Sequence, residues 1–191
     1  MRSLLFALVV AATVVPQARS AEPSGPKTTY FLPVFTEARN EAVGAALTRD
    51  IVFRSLGSNC SVADPAFGVG VDKAYMAWRT RHLAQLDSAH KYLVLVAVMS
   101  ERETHVPVKE FYNARKIEFD DNARASLRNF FPDKPTAAKC DEIAARIDDG
   151  TFDFKNEPQY AQALIGIQAD MTKWEAQRER MEAEKSQKRG E

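Results

Sequence analysis

The sequence predicts a mainly α fold, an irregular bundle of five or six helices, with a short β element within residues 92–119 as the alternative in one region. Two observations support this prediction. Apolar residues recur at helical spacing through much of the chain, and residues suited to begin or end a helix separate these stretches. No internal repeat and no long interior linker divides the chain, so one helical domain is expected.

The first 20 residues have the three-part pattern of a secretory signal peptide. Arg2 supplies a positive charge, and residues 4–15 are apolar except for one threonine. Two small residues, Ala18 and Ser20, precede the expected cut after residue 20. The apolar run is shorter than the roughly 20 residues of a membrane-spanning helix. We therefore expect a periplasmic or secreted protein with no stable membrane span after cleavage.

The residues after the expected cut are numerous enough to form one domain with a hydrophobic core. Residues 21–191 number 171, and without Arg2 and Arg19 they carry 24 basic and 26 acidic side chains, a net charge of −2. A near-neutral chain has no general attraction to nucleic acid or anionic lipid, so no nucleic-acid partner is expected. We predict an extended lead-in at 21–34, a single helical domain at 35–180 and a charged C-terminal tail at 181–191.

The chain contains only two cysteines, Cys60 and Cys140. In an oxidising compartment, two cysteines in one small domain are most simply a disulfide. The bridge would close a loop of about 80 residues, which the chain-entropy model values at roughly 4 kcal/mol. The alternative, a reactive thiol pair, has no C-x-x-C spacing to support it.

The first two helices are expected on either side of a long loop. Thr36 can cap the first helix, and Gly57 is expected to end it. Residues 57–71 contain several glycine, proline and short polar residues, which predict a loop. Asp72 is then expected to cap the second helix.

The middle of the chain leaves helix and strand open. A break or a new cap is expected at residues 87–88. Residues 92–99 are an unbroken apolar run with three valines, which fits a buried strand or a buried helix, and the helical surroundings favour the helix. Residues 105–120 are less regular, because Pro107 disfavours helix at the residue before it. They are compatible with two short strands or with one irregular helix.

Three clearer helices are expected after residue 119. Residues 120–121 can cap the first, which Pro132 ends. Thr136 opens the second, and Gly150 ends it. Residues 156–158 open the last and longest, whose apolar residues step by four and three positions as a packing seam: Tyr160, Leu164, Ile167, Met171 and Trp174.

No catalytic, metal-binding or cofactor-binding motif is present, so the catalytic residues are unknown and no cofactor is predicted. His82, His90 and His105 fit no ligand spacing, which argues against a metal site. The glycines of residues 68–70 lack the third glycine and the preceding strand of a dinucleotide site. The aspartate pairs at 120–121 and 148–149 fit helix caps or turns better than acid–base catalysis.

Two aromatic segments, Tyr30-Phe31 and Phe152-Asp153-Phe154, lie where the helical signal is weak. If their rings are exposed, they could form a binding edge. The alternative is that each ring fastens a loop onto the helices.

Three functions are compatible with the sequence, and the absence of a catalytic signature favours the first. The first function is that of a non-enzymatic interaction protein of the cell envelope: an inhibitor, immunity-type protector, adaptor or chaperone. Such a protein would bind another envelope or secreted protein, for example through loop 57–71 or 150–158. The second is a carrier of a small apolar ligand, which the run 92–99 supports. The third is an enzyme of an unfamiliar family, which requires several polar side chains to converge in one cleft: His82, His90, His105, Asp64 and Glu110.

Overall fold

The computed structural model describes residues 31–189. The expected signal peptide, most of the lead-in and the last two residues of the tail lie outside these residues. Residues 31–189 contain six α-helices and one turn of 3₁₀ helix, which agrees with the mainly α prediction. The helices are α1 (Glu37–Ala63), α2 (Pro65–Arg81), α3 (Leu83–Thr104), α4 (Val108–Phe130), α5 (Ala137–Asp148) and α6 (Pro158–Arg189), with the 3₁₀ turn at Phe154–Asn156.

The loop predicted at residues 57–71 is wrong, because this segment is helical on both sides of a single residue. Thr36 caps α1 as expected, but α1 continues through Gly57 to Ala63. Asp64 then caps α2, accepting a hydrogen bond from the amide of Ala66 at 2.8 Å. The predicted cap Asp72 instead lies within α2.

Close packing between α1 and α2 explains Gly68, one of the glycines that suggested a loop. A Cβ added to Gly68 would lie 1.8 Å from Oγ of Ser61 and 2.8 Å from the carbonyl oxygen of Gly57. Gly68 is therefore required by the approach of one helix to the other, and it does not mark a turn.

The strand alternative for residues 92–119 is also wrong, because these residues belong to α3, α4 and the turn between them. No break occurs at residues 87–88. The interruption lies at His82, between α2 and α3, and α3 ends at His105 in a left-handed conformation with φ 60°. Pro107 occupies the N-cap of α4, where its missing N–H costs no helical hydrogen bond.

The later part of the chain follows the prediction more closely. Thr136 caps α5, and Gly150 follows that helix with φ 82°. The predicted helix start at residues 120–121 is wrong, because both aspartates lie inside α4, where they pair with Lys116 and Arg124. The last helix includes most of the predicted charged tail, whose side chains are nearly all exposed.

The core lies around α1, which contacts each of the other five helices. Its largest fully buried side chains include Trp78, Tyr92, Phe53 and Phe154. The sulfur atoms of Cys60 and Cys140 lie at disulfide-bonding distance, 2.13 Å, and join the last turn of α1 to α5. Between residues 31 and 189, no helix has both the length and the apolar character that crossing a membrane requires.

Candidate functional site

A cleft of about 820 Å³ opens between α1, α3 and α4. We call it the α1–α4 cleft. Most of its lining is apolar, and seven of the lining residues carry aromatic rings: Phe53, Tyr92, Phe111, Phe119, Phe130, Phe152 and Tyr160. Four aliphatic side chains complete this apolar surface: Val43, Val52, Leu93 and Val96.

The cleft exists because small residues of α1 face bulky residues of α4. Gly44 and Ala45 of α1 line the cleft. A Cβ added to Gly44 would lie 3.6 Å from the ring of Phe119, so that ring contacts α1 at its smallest residue. Of the 23 residues of α4, only Phe119 and Ala123 are buried. The helix therefore buries little of its length, and three of its phenylalanines, Phe111, Phe119 and Phe130, line the cleft.

The apolar run that was ambiguous in the sequence supplies the α3 wall. Tyr92, Leu93 and Val96 all line the cleft. The hydroxyl of Tyr92 donates a hydrogen bond to Oδ1 of Asn40 at 3.1 Å, and burial raises the pKa of Tyr92. A neutral, hydrogen-bonded tyrosine here contributes apolar ring surface to the cleft.

Phe152 forms part of the cleft wall with two other rings. Its ring centroid lies 5.4 Å from that of Phe53 and 5.9 Å from that of Phe130. Its carbonyl oxygen accepts hydrogen bonds from Nη1 of Arg49 at 3.1 Å and from the indole of Trp78 at 3.3 Å. These contacts hold the segment after α5 against the helices.

The polar part of the lining has more uncharged than charged groups. Seven uncharged side chains carry hydroxyl or amide groups: Asn40, Thr48, Tyr92, Ser100, Asn122, Ser126 and Tyr160. Four side chains carry charge: Glu41, Arg49, Arg115 and Glu118. Arg49 pairs with Glu157, and Arg115 pairs with Glu118 at 2.5 Å. Both cations of the lining are thus engaged by carboxylates.

Outside the cleft, His82 and Asp153 form a buried pair. His82 Nε2 lies 3.0 Å from Oδ1 of Asp153, and Nδ1 lies 2.8 Å from Oε1 of Gln85. Arg81 donates to the same aspartate oxygen at 3.2 Å and to the carbonyl of Ile147 at 2.7 Å. Both ring nitrogens have partners within the protein, so this histidine joins the α2–α3 junction to the segment after α5.

The pKa of Asp153 reflects these contacts. Burial alone would raise the pKa of the carboxyl group, but hydrogen bonds from His82 and Arg81 outweigh it and hold the pKa below its ordinary value. Asp153 is therefore an ionised structural partner at neutral pH.

The other residues considered for an unfamiliar enzyme have separate positions. Asp64 caps α2, His105 ends α3, and Glu110 lies in the first turn of α4. His90 is exposed on α3. None of the five candidates lines the α1–α4 cleft. Among residues 31–189, no three histidine, cysteine or acidic side chains are grouped so that they could hold a metal ion.

For the aromatic segment at residues 152–154, the sequence left open a binding edge or a loop that its rings fasten onto the helices. The segment packs against the helices, in agreement with the second interpretation. Phe154 is fully buried, and its centroid lies 4.7 Å from that of His82. Phe31 is half-buried beneath Lys173 of α6, and its amide donates to Oε1 of Gln177 at 2.8 Å. Tyr30 lies outside the described residues.

Comparisons with protein-family models, with curated protein sequences and with solved structures find no match to this chain.

Proposed function

We propose that this chain is an exported, non-enzymatic binding protein whose α1–α4 cleft holds a small apolar ligand. The observation that carries the proposal is the cleft, whose volume of about 820 Å³ falls within the roughly 300–1,000 Å³ typical of small-molecule sites. Such sites combine a mainly apolar lining with a few polar groups, as this cleft does. The cleft favours the carrier over the envelope interaction protein that the sequence alone favoured.

Export is supported by the signal-like pattern of residues 1–20 and by the pairing of Cys60 with Cys140. Disulfides persist mainly in oxidising compartments such as the periplasm and the extracellular space. We propose one of these as the place where the protein acts.

An enzymatic role has less support. The cleft lining contains no histidine, cysteine or aspartate, and its two arginines are paired with glutamates. Tyr75 and Asp50 lie outside the lining; burial first, and the nearby Asp50 second, raise the pKa of Tyr75 to about 12. A phenol with that pKa is a poor proton donor or acceptor near neutral pH.

The test is equilibrium binding of N-phenyl-1-naphthylamine, an uncharged probe whose fluorescence rises in apolar surroundings. We expect saturable binding by the protein without its first 20 residues. Ala45→Phe should weaken binding at least about tenfold by filling the cleft, and Ser126→Phe should do the same from the facing helix. Ala63→Phe, an exposed change at the end of α1, is the matched control.

Circular dichroism melting of all three variants should establish that each is folded before binding is compared. The cleft is not the site if the two cleft variants bind the probe as tightly as the Ala63→Phe control does. The carrier proposal itself fails if the unmodified protein shows no saturable binding.

A second candidate function, binding of another envelope or secreted protein, is supported by a different surface. Two exposed apolar residues, Val69 and Met76, lie seven positions apart and therefore on one face of α2. Val69 and Met76 lie within α2 and are 68% and 56% exposed. If this surface binds a protein partner, Met76→Lys should abolish a fixed-stoichiometry complex in native mass spectrometry and leave binding of the apolar probe unchanged.

A further inference from the structure

The charges of the α1–α4 cleft are arranged so that no cation is free to receive an anion. The guanidinium of Arg49 pairs with Glu157, donates to the carbonyl of Phe152 at 3.1 Å and lies 5.2 Å from the ring centroid of Phe154. Its side chain is only 17% exposed. An anionic ligand could use this arginine only by displacing contacts that fix the cleft wall.

Arg115 is more exposed, and its pair with Glu118 is correspondingly weak. Both side chains line the cleft, however. An anion that drew Arg115 away would remain beside the carboxylate of Glu118, which would repel it. Attraction to one member of this pair is therefore largely cancelled by repulsion from the other.

The total charge of the cleft lining offers no net attraction to an anion. Two arginines, Arg49 and Arg115, are balanced by two glutamates, Glu41 and Glu118, and the sum is zero. Glu41 is exposed, so water screens it and it offers little to a cationic ligand either. The uncharged hydroxyl and amide groups of the lining can hydrogen-bond an uncharged polar group without burying a charge.

We infer that the cleft selects uncharged amphiphiles, molecules with a long apolar tail and an alcohol-type head, over fatty-acid anions of the same length. This inference rests on the proposed function, since it names the class of ligand that the cleft would carry. Burying a carboxylate without a cationic partner costs far more than burying a hydrogen-bonded hydroxyl group. The tail contributes equally in the two molecules, so the head group decides between them.

The experiment measures displacement of N-phenyl-1-naphthylamine by decanol, decanoate and decylamine at pH 7.5, with decanol below its solubility limit and the two ions below their critical micelle concentrations. Decanol should displace the probe at a concentration at least about tenfold lower than decanoate does. Decylamine, which is cationic at this pH, should displace it no better than decanol. The three molecules share one tail length, so differences report the head group.

A variant of the cleft tests the electrostatic reason directly. Glu118→Gln removes the carboxylate beside Arg115 and leaves a side chain of similar size. The displacement of the probe by decanoate should then improve about three- to tenfold relative to its displacement by decanol. Glu182→Gln is the matched control, because Glu182 pairs with Arg178 on α6 and neither residue lines the cleft; it should leave this ratio unchanged.

The outcomes separate this inference from the function on which it rests. If the probe does not bind at all, the proposed function fails. If the probe binds but decanoate displaces it as well as decanol does, the cleft is a ligand site and the inference about charge is wrong. Stronger displacement by decylamine than by decanol, or no gain for decanoate with Glu118→Gln, would overturn the inference equally.

Discussion

Gly68 shows how a single residue can mislead a prediction from sequence and still be essential to the fold. Glycine in a segment with proline and short polar residues is typical of a loop. In this chain Gly68 lies inside α2 and faces the backbone of Gly57 in α1. The requirement is for space between helices, and only the position of the second helix reveals it.

Gly68→Ala and Gly70→Ala therefore have opposite expected effects. The added methyl group at residue 68 meets Ser61 and the backbone of Gly57, and we expect a loss of about 1–3 kcal/mol in the free energy of unfolding. At residue 70 nothing lies within 4 Å, so alanine should stabilise α2 by about 0.5–1 kcal/mol. Urea denaturation measures the free energy of unfolding of both variants. Equal changes in the two variants would contradict the packing described for Gly68.

Asp153 is the residue whose ionisation contributes most clearly to stability. Its pKa is lowered in the folded protein, so the folded state favours the carboxylate. This contribution is fully present above the ordinary aspartate pKa, about 3.9, and is lost as the pH falls through the lowered folded value. The sequence could not identify His82 and Arg81 as the partners of Asp153, because each lies more than 70 residues before it in the chain.

Asp153→Asn should lower the free energy of unfolding by about 2 kcal/mol at pH 7, because a neutral amide replaces the charged partner of His82 and Arg81. The difference from the unmodified protein should shrink below about pH 4, where the carboxylate begins to be protonated. Chemical denaturation at a series of pH values checks this. Asp148→Asn, which removes one negative charge at an exposed position of α5, is the matched control.

At the scale of elements, α4 is the least securely packed helix of the cleft. Only two of its 23 residues are buried, whereas α1 buries nine of its 27. A helix with few buried apolar contacts opens at a lower free energy than the helices of the core. Its movement away from α1 would widen the cleft and admit a ligand.

Hydrogen–deuterium exchange should therefore be faster for the backbone amides in the middle of α4 than for those in the middle of α1. Addition of decanol should slow exchange in α4 and leave α2 nearly unchanged, because α2 contributes no residue to the lining. Protection of α4 equal to that of α1 in the free protein would show that the helix does not open in this way.

The elements that sequence patterns predicted well are those with strong local signals. Thr36 and Thr136 cap helices, and Gly150 follows one, because capping and left-handed turns depend on few neighbouring residues. The run 92–99 could be assigned only through its helical surroundings, since a fully apolar run fits either period. The sequence left residues 105–120 open between two short strands and one irregular helix, because Pro107 breaks a helix in its interior but suits the start of one.

The cleft belongs to the whole molecule, which is why it could not be predicted from the sequence. Gly44 and Ala45 are ordinary members of the helical pattern of α1 until α4 is placed opposite them. The apolar run in α3 indicated buried surface, but not that part of it would face an opening. A cavity is the space that neighbouring helices leave between them, and the residue pattern of one helix does not show how large that space is.

The Cys60–Cys140 bridge also acts on the whole molecule, because it joins residues 80 positions apart. The double change Cys60→Ala and Cys140→Ala should cost up to about 4 kcal/mol by releasing the unfolded chain from that loop. A reductant should lower the melting temperature of the unmodified protein and have no effect on the double variant. Two titratable thiols in the denatured, non-reduced protein would show that the bridge is absent.

The central claim, that the cleft carries an apolar ligand, is tested most directly by native mass spectrometry of the protein recovered from the extracytoplasmic fraction of cells that export it. We expect a small adduct on the unmodified protein and on Ala63→Phe. Organic solvent should extract this adduct, and Ala45→Phe should not carry it. A bare monomer, or a fixed-stoichiometry complex with a second polypeptide and no small adduct, would contradict the claim.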